Sequence, residues 1–421
     1  MRFEHQSIDD SPPCGRLFSC QTADLTGDGY PDLIVGGTGS KKAVNVLGKR
    51  IILSQLPVLG QAIKRLETNL FWYENPGVGR RNGDAEWTRR AISSESDLHV
   101  LGSALGDVSG NGKLDLIVGQ GHGRSDVYWF EQPTDPRREW EKHLIADDFS
   151  KYHDLAFGDV DNDGEPEVVG LSQESESIFY YDVPADPTRS PWPSEQLTII
   201  DSDADVEGLA IVDIDGDGDN ELIAGTAIYH CSGANRGRSS SEVSDAEGSE
   251  TPDIAAVDGG KSTDIAAGWT REDIATGWDY TRVAVGDIDD DGEPEVVFTE
   301  GDSPTYGEHM GRVGWFDQPD WEPHILDDDL YCPHSIQLAD FDGNGSLDIY
   351  VAEMGLGENE DSARHVVFHN CGDGEFNREV VERAVPTHEA RAVDVDRNSR
   401  PDVIGKSYTP DHHVDVWYNR P

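Results

Sequence analysis

Positive charge is scarce in this sequence. Only 33 lysine and arginine residues stand against 83 aspartates and glutamates in a chain of 421 residues, so the formal net charge is −50. Affinity for nucleic acid comes largely from Lys and Arg side chains that displace counterions from phosphates. No compensating basic domain is present in the sequence, and we therefore exclude nucleic acid as a partner.

Lysine is the scarcer of the two basic residues, with 9 lysines against 24 arginines, and carboxylates are spread along the whole chain. This composition resembles that of proteins from salt-accumulating halophiles, in which molar salt screens the self-repulsion of the surface. Ordinary solubilising charge is the second interpretation. With 36% apolar residues and 10 tryptophans, the chain has enough apolar material to bury a core.

Long apolar runs and paired cysteines are also missing. No run reaches the roughly 18 residues of a membrane span, and no export signal is seen at the N-terminus, so we expect no membrane partner and a cytoplasmic location. Cys14, Cys20, Cys231, Cys332 and Cys371 form no CxxC motif. We expect free thiols, with a Cys14–Cys20 bridge as the alternative.

An acidic nonapeptide recurs seven times along the chain. The copies are DLTGDGYPD from Asp24, DVSGNGKLD from Asp107, DVDNDGEPE from Asp159, DIDGDGDNE from Asp213, DIDDDGEPE from Asp287, DFDGNGSLD from Asp340 and DVDRNSRPD from Asp394. Their first aspartates lie 83, 52, 54, 74, 53 and 54 residues apart. A repeat of 52 to 54 residues is typical of solenoids and propellers.

Each repeat predicts four short strands. An apolar strand precedes the acidic turn, a continuous apolar strand follows it, a third strand carries an aromatic pair, as in FWYENP (71–76) and VYWFEQP (127–133), and a fourth reads like WEKHLIADD (140–148). Four antiparallel strands form one propeller blade. We therefore predict an all-β, seven-bladed propeller that spans residues 1–421 as a single domain.

The last repeat ends on its third strand, and residues 3–10 resemble the fourth-strand pattern. We predict that this N-terminal strand completes the last blade, which removes an open sheet edge. Two insertions interrupt the repeat. The apolar and basic segment 38–70 suggests a helical flap, and segment 232–272 has the low-complexity composition of a loop or disordered region.

The acidic turns are candidate cation sites, because positions 1, 3, 5 and 9 present oxygen ligands and position 6 is Gly in six copies. Hard oxygen ligands suit calcium better than a transition metal. The predicted ligands are Asp24, Thr26, Asp28 and Asp32; Asp107, Ser109, Asn111 and Asp115; Asp159, Asp161, Asp163 and Glu167; Asp213, Asp215, Asp217 and Glu221; Asp287, Asp289, Asp291 and Glu295; Asp340, Asp342, Asn344 and Asp348; Asp394, Asp396, Asn398 and Asp402. An acidic turn on a halophile surface is the alternative reading.

The seven units in register resemble the FG-GAP/VCBS repeat family, whose calcium-binding blades also occur in integrin α-subunit heads. The resemblance implies several structural calcium ions. The seventh copy departs from the family pattern, with Ser399 in place of Gly and Arg397 inside the loop, which puts its calcium in doubt. Abundant calcium sites suit the outside of a cell, in tension with the cytoplasmic expectation.

Ionisable residues should gather at the opposite end of the same strands. Six positions before each first aspartate stand Phe18, Leu101, His153, Glu207, Thr281, His334 and His388. Thirteen positions after it stand Gly37, Gln120, Ser172, Thr226, Glu300, Glu353 and Ser407, flanked by His122, Lys406 and Tyr408. A pocket rimmed by such groups is a candidate site for ligand binding or catalysis, although a single His at a strand start is often only structural.

Two hypotheses of function follow from this pocket. The first is an enzyme that eliminates a β-oxygen from a carbohydrate or similar anionic ligand, since the final units also resemble VCBS-type propellers associated with sugar dehydratases and polysaccharide lyases. His153, His334 or His388 would hold the anionic group, directly or through a further divalent metal, with Tyr408 or Lys406 as base or acid. His122, Glu207, Glu300, Glu353 and Arg391 are the predicted substrate-binding residues. The second hypothesis is a non-catalytic module that binds a glycan or a protein.

Overall fold

The structure is a computed structural model, and it describes residues 2–39, 43–46, 49–52, 69–77, 86–95, 98–232, 265–372, 374–408 and 412–420. Seven four-stranded antiparallel sheets account for almost all of its regular secondary structure. This arrangement confirms the predicted seven-bladed propeller, and its strands follow the repeat order.

The first three blades comprise β2 (Arg16–Ala23), β3 (Asp32–Thr38), β6 (Leu70–Glu74) and β7 (Thr88–Ser93); β8 (Val100–Gly106), β9 (Asp115–Gln120), β10 (Val127–Glu131) and β11 (Glu141–Ala146); and β12 (Tyr152–Gly158), β13 (Glu167–Ser172), β14 (Ser177–Asp182) and β15 (Leu197–Asp201). Blade 4 comprises β16 (Leu209–Val212), β17 (Glu221–Ala224), β18 (Ala227–Cys231) and β19 (Trp269–Asp273).

Blade 5 comprises β20 (Thr281–Gly286), β21 (Glu295–Glu300), β22 (Gly311–Asp317) and β23 (Glu322–Leu330), and blade 6 comprises β24 (Ser335–Ala339), β25 (Asp348–Ala352), β26 (Arg364–Asn370) and β27 (Phe376–Arg383). Blade 7 comprises β28 (Glu389–Val393), β29 (Asp402–Lys406), β30 (Val414–Arg420) and β1 (Arg2–Asp9). Two short 3-10 helices, Ser194–Gln196 and Gly357–Ser362, lie in connections. None of the helices in the described part of the chain has the length and apolarity needed to cross a bilayer.

The core consists of apolar clusters that lie between blades. Each of the seven clusters combines residues from two neighbouring sheets, and one of them joins blade 7 to blade 1. The second strand of a blade is covered on both faces, which explains why its sequence is a continuous apolar run rather than an alternation. The third-strand aromatics Trp72, Trp129 and Trp417 are at most 1% exposed, so they pack in the core of the blades.

The N-terminal strand β1 completes blade 7, as predicted. It pairs antiparallel with β30, with Phe3 opposite Asn419 and His5 opposite Trp417. Its last residue, Asp9, accepts hydrogen bonds from the Tyr73 hydroxyl at 2.8 Å and from Arg89 at 2.6 Å. The strand therefore closes one sheet and also ties that sheet to blade 1.

The insertions differ from the sequence predictions where they are described. Residues 43–46 and 49–52 form the strands β4 (Ala43–Val46) and β5 (Lys49–Ile52) of a hairpin, so the helical expectation is wrong for this part of the flap. Residues 40–42, 47–48 and 53–68 lie outside the described residues. In the segment 232–272, residues 233–264 also lie outside them, but residues 269–272 belong to β19, the outer strand of blade 4. The insertion is therefore shorter than predicted.

The five cysteines form no disulfide bond with one another, as expected, so the alternative bridge between Cys14 and Cys20 is absent. Cys14 and Cys20 are fully buried in the cluster between blades 7 and 1. Burial raises the pKa of the Cys20 thiol to about 12, so this group packs as a small apolar side chain.

The ring closure should depend on pH through His5. Its imidazole stacks on Trp417 at 5.1 Å and lies 2.9 Å from the Asp415 carboxylate, and this hydrogen bond raises the pKa of His5 above 6.5. The bond therefore stabilises the fold fully below about pH 6.5 and is lost as pH rises through the raised pKa. His5→Phe keeps the ring contact and should lower the free energy of unfolding by about 1 kcal/mol at about pH 5.5, and by less at about pH 8.5.

Urea unfolding at both pH values and constant ionic strength measures this difference. Gln6→Ala, on the exposed neighbouring position of β1, is the matched control and should show no pH-dependent loss. An equal loss at both pH values for His5→Phe would contradict the assignment.

Candidate functional site

The seven acidic turns share one hydrogen-bond pattern. The backbone N–H of position 6 donates to the position 1 aspartate at 2.7–3.1 Å in every turn. The position 5 side chain accepts from the backbone N–H of position 7 at 2.8–3.0 Å in every turn. Position 6 has positive φ throughout, and Ser399, with φ of 68°, is its one non-glycine residue. The nine-residue register thus specifies one loop geometry.

The position 9 carboxylate is buried in all seven turns, with 0–4% exposure. In six of them it accepts the backbone N–H of position 2, as Glu167 does from Val160 at 2.9 Å. Burial, and next the neighbouring carboxylates, raise the pKa of Glu167 to about 9 and of Glu295 to about 7. A cation beside these carboxylates would offset the cost of burying their charge.

The third to fifth turns fit a hard dication best. Buried oxygens of Asp159, Asp213, Asp287 and Glu295 have no hydrogen-bond partner among the described residues. One oxygen each of Asp159, Asp161, Asp163 and Glu167 lies within 4.8 Å of the others. Unpartnered carboxylate oxygens that converge in this way match the ligand set that calcium prefers.

The seventh turn differs from the others in its two arginine contacts. Asp396 at position 3 is paired with Arg420. Arg397 turns away from its own loop and lies over the Tyr30 ring, 5.4 Å from its centroid, in the turn of blade 1. The Arg420 guanidinium therefore places a positive charge beside Asp396 in this loop.

The turns of blades 4 and 6 also have a nearby histidine that the sequence analysis missed. His230 and His369 stand directly opposite the position 9 carboxylate on the third strands of blades 4 and 6. Nδ1 of His369 lies 3.8 Å from Asp342, and Nε2 lies 2.8 Å from Glu379. Both residues could have been located from the sequence by pairing the second and third strands of each repeat and finding the residue opposite position 9.

A cavity of about 550 Å³ opens at the other end of the same strands. His153, His334 and His388 line it together, with Tyr408, His122, Glu207 and Arg391. Six of the seven residues that stand six positions before the first aspartates therefore line a single pocket, and Thr281 does not. The side of blades 1 and 2 is apolar, with Phe18 and Leu101, whereas the side of blades 3 to 5 is charged.

His153 is held between two carboxylates. Its Nδ1 lies 2.9 Å from Asp154 and its Nε2 lies 3.3 Å from Glu207. Burial opposes its protonation, but the carboxylates of Glu207 and Asp154 outweigh this effect and raise the pKa of His153. Arg282 completes the network, 2.9 Å from Glu207. We call His153, Asp154, Glu207 and Arg282 the charged wall of the cavity. In it, an imidazole that favours its cationic form lies beside a guanidinium.

The other two imidazoles form an aromatic stack with Tyr408. The ring centroids of His334 and His388 are 3.9 Å apart, and those of His388 and Tyr408 are 4.7 Å apart, both in stacked geometry. Nδ1 of His334 donates to the carbonyl of His388 at 2.8 Å, and its Nε2 accepts from Arg282. Burial, followed by Arg282 and Lys406, lowers the pKa of His334, so this ring is neutral.

Lys406 lies behind the stack and does not line the cavity, which corrects its predicted role as a group that touches the substrate. Its ammonium group is fully buried, contacts Nδ1 of His388 and lies 3.1 Å from the carbonyl of Leu17. Burial is the largest cause that lowers the pKa of Lys406, to about 7. Lys406 therefore acts on the cavity through His388.

Glu300 and Glu353 do not line the cavity, in contrast to their predicted role in substrate binding. Glu300 forms a bidentate pair with Arg312 at 2.7 and 2.8 Å, and Glu353 pairs with Arg364 at 2.6 and 3.1 Å. Both carboxylates are at most 1% exposed. They hold the start of the third strand in their blades, which is a structural role.

Of the three histidines predicted to hold a ligand directly or through a further divalent metal, His334 has no ring nitrogen left for a metal. Both nitrogens of His334 are engaged, one of them by the Arg282 guanidinium, and a cation beside that guanidinium would be repelled. His122 is exposed at the rim, 3.0 Å from Glu174, and Arg391 is paired with Glu389 at 2.8 Å.

The sequence reading missed Asp154, Arg282 and Glu389, which also line the cavity. All three stand five positions before the first aspartate of their repeat, one residue after the column that was inspected. The first strand has no inner neighbour, so consecutive residues at its start both reach the channel. Inspection of the residues five positions before each first aspartate, in addition to those six positions before it, would have found them.

A family model for the FG-GAP-like repeat matches residues 107–170, from the acidic turn of blade 2 to the second strand of blade 3. The same turn and strand pattern recurs in all seven sheets. The chain is a seven-bladed propeller that contains an FG-GAP-like repeat. No curated protein matches its sequence. The FG-GAP repeat explains the fold, and the cavity residues are what distinguishes this propeller chemically.

The structural role of Glu353 can be tested by its removal. Glu353→Ala leaves Arg364 without its buried carboxylate and frees the backbone N–H of Tyr331, which now donates to it at 2.7 Å. We expect a loss of about 3 kcal/mol in the free energy of unfolding. Urea unfolding followed by tryptophan fluorescence measures it. Asp361→Ala, exposed in the adjacent 3-10 helix, is the control, and equal stability of the two variants would contradict the role.

Proposed function

We propose that this FG-GAP propeller binds a carbohydrate in its central cavity and eliminates a β-oxygen from it, and that the acidic turns hold structural calcium. The observation that supports catalysis is the convergence of three imidazoles with Arg282 in one pocket. Its volume of about 550 Å³ is within the range of roughly 300–1,000 Å³ that is common for small-molecule sites.

The charged wall is suited to the acidic end of such a substrate. Elimination begins with removal of a proton beside a carboxylate or carbonyl, and negative charge then develops on that group. The His153 imidazolium and Arg282 would stabilise this charge as it develops. Their own carboxylate partners, Asp154 and Glu207, hold both cations in position.

His388 is the candidate base, and Lys406 sets its tautomer. When Lys406 is an ammonium group, it donates to Nδ1 of His388, and Nε2 then carries the proton. When Lys406 is a neutral amine, Nδ1–H can donate to it, and the lone pair of Nε2 faces the cavity. Nε2 would take the substrate proton while Lys406 receives the proton of Nδ1.

Tyr408 is the candidate acid for the leaving oxygen. Burial is the largest cause that raises the pKa of its phenol, so the hydroxyl keeps its proton at neutral pH. As the carbon–oxygen bond breaks and the double bond forms, the phenol would donate its proton to the departing oxygen. The stack on His388 places acid and base on the same side of the cavity.

A non-catalytic glycan- or protein-binding module is the second candidate. The observation that favours it is that the cavity cations are already paired, Arg282 with Glu207 and Arg391 with Glu389. A network satisfied in this way is rigid and can present fixed donors and acceptors to a ligand without any reaction.

For the acidic turns we propose calcium in the first six and none in the seventh. The support is the unpartnered carboxylate oxygens in the third to fifth turns, the shared backbone geometry, and the arginine paired with Asp396. In each blade the ion would join the ends of the first two strands, which is a contribution to stability rather than to chemistry.

The proposed reaction predicts a pH profile. Lys406 is a neutral amine above its pKa of about 7, so kcat/KM should rise through about pH 7, and it should fall at higher pH as the His153 imidazolium, whose pKa is raised, loses its proton. The charged and titratable groups around Lys406 are His388, Glu389, Cys20, Arg391 and Arg282. Lys406→Met should remove this ionisation and lower kcat by about 100-fold, within the range for a lost acid–base function. Formation of unsaturated product from uronates and ketosugars is the assay.

Lys142→Met, on the outer strand of blade 2 and paired with Glu95 at 2.5 Å, is the matched control and should keep the wild-type profile. His388→Ala should abolish turnover with the fold intact by circular dichroism. Saccharide binding by the wild type with no turnover across the panel would favour the binding module, and absence of both would refute the two proposals.

Chelation tests the calcium proposal. After removal of metal and dialysis against calcium, we expect six ions per chain by elemental analysis. Calcium at 100 times its Kd should stabilise by about 2.7 kcal/mol per site, so chelation should lower Tm. Asp159→Asn should lose one ion, whereas Asp147→Asn, exposed and outside the turns, should lose none. A stoichiometry of zero would contradict the proposal.

A further inference from the structure

Two tyrosines are exposed at the rim of the cavity. Among the described residues, five large apolar side chains are strongly exposed, and only two of them, Tyr280 at 39% and Tyr306 at 66%, are aromatic. Both line the cavity, and their ring centroids are 6.3 Å apart. The other three exposed side chains, Leu114, Ile199 and Ile325, do not line it. Exposed aromatic surface on this protein is therefore concentrated at one edge of the pocket.

The loop that carries Tyr306 is ordered by its own backbone. Between β21 and β22, the N–H of Tyr306 donates to the carbonyl of Asp302 at 3.0 Å, and the N–H of Ser303 donates to that of Glu300 at 3.2 Å. Ser303 is 1% exposed, and its carbonyl accepts the N–H of Cys332 at 2.6 Å. The exposed ring is thus presented by an anchored turn, which lowers the entropy lost when a ligand binds.

Tyr280 is held in a conformation that its side chain disfavours. Its φ is +54°, in the left-handed region, although it is a bulky residue. The carbonyl of Tyr280 accepts the N–H of Gly301 at 2.8 Å, which fixes this backbone at the entrance to β20. Backbone strain of this kind is found preferentially at ligand clamps and active sites. The strained position here directs an aromatic ring to the cavity rim.

We propose that Tyr280 and Tyr306 form a second sugar subsite at the rim, so that the ligand of the cavity is the end of an oligosaccharide rather than a free monosaccharide. This inference rests on the proposed function. Aromatic rings offer the flat apolar surface that the C–H face of a pyranose covers, and their hydroxyls remain available to water or to sugar hydroxyls.

The charge around the subsite indicates which sugar it takes. The carboxylates of Asp205, Asp279, Glu207 and Asp302 all act on the Tyr280 phenol. A uronate placed over these rings would be repelled, whereas a neutral sugar would not. The ligand that fits both the charged wall and the two tyrosines is an oligosaccharide with an acidic sugar at the charged wall and a neutral sugar on the tyrosines.

The test compares two probes by isothermal titration calorimetry. One is D-glucuronate, and the other is an aldotetraouronic acid, in which a single glucuronic acid is attached to xylotriose. The wild type should bind the oligosaccharide more tightly than the monosaccharide. Tyr306→Ala should reduce the ratio of the two affinities about tenfold, the size of one aromatic contact. Tyr306→Phe, which keeps the ring, should keep the ratio.

Ile199→Ala removes a comparably exposed apolar side chain, 42% exposed on β15, and should leave the ratio at its wild-type value. Equal affinity of the wild type for both probes, or a ratio insensitive to Tyr306→Ala, would overturn the subsite and favour a protein contact for the two rings. Failure of the wild type to bind either probe would instead refute the carbohydrate function itself, so the two failures are distinguishable.

Discussion

The propeller depends on a side-chain amide at the end of the third strand, which is buried in four of the five blades that have it. In five blades an Asn or Gln at this position donates to the carbonyl of position 2 in the acidic turn of the preceding blade, at 2.6–3.0 Å; the donors are Asn75, Gln132, Gln318, Asn370 and Asn419. Four of these five also donate their backbone N–H to the position 9 aspartate of their own blade. One residue therefore binds the acidic turn of its own blade and links that blade to the preceding one.

This coupling explains why the two ends of the ring can differ in chemistry. The amides and carboxylates fix the backbone at the turn end, and the apolar clusters fill the space between the sheets. At the starts of the first strands, His153, Arg282, His334 and His388 belong to none of these apolar clusters, so the core does not fix their identity. Histidine, arginine and acidic residues occupy those positions in this protein and form the cavity. The fold thus separates residues needed for stability from residues available for function.

Much of the architecture could be read from the sequence, because a repeat fixes the register of every strand. The turns, the aromatic third strands and the N-terminal closure all follow from counting residues from the first aspartate. Side-chain direction does not follow from such counting. Glu300 and Glu353 stand at the correct end of the second strand, but they point along the sheet to Arg312 and Arg364 rather than into the channel.

Other differences come from weak local patterns. The outer strand β19 has one buried residue, Trp269, followed by four exposed ones, so nothing in its composition separates it from the polar segment before it. The role of Lys406 depends on the position of His388, which lies directly before β28 and 18 residues away in sequence. The contact between Lys406 and His388 cannot be predicted from the spacing of residues within a single strand. The charged network of His153, Asp154, Glu207 and Arg282 likewise joins three blades and becomes visible only when the ring is closed.

The closing strand also constrains how the chain reaches this structure. His5 and Asp415 meet across 410 residues of sequence, so blade 7 cannot assemble until both ends of the ring are available. Before that moment the edge of β30 and the apolar faces of blades 7 and 1 are uncovered, which makes the partly assembled ring a target for strand addition by other chains. Contacts of such long range slow folding, and the ring gains its full cooperativity only in its final step.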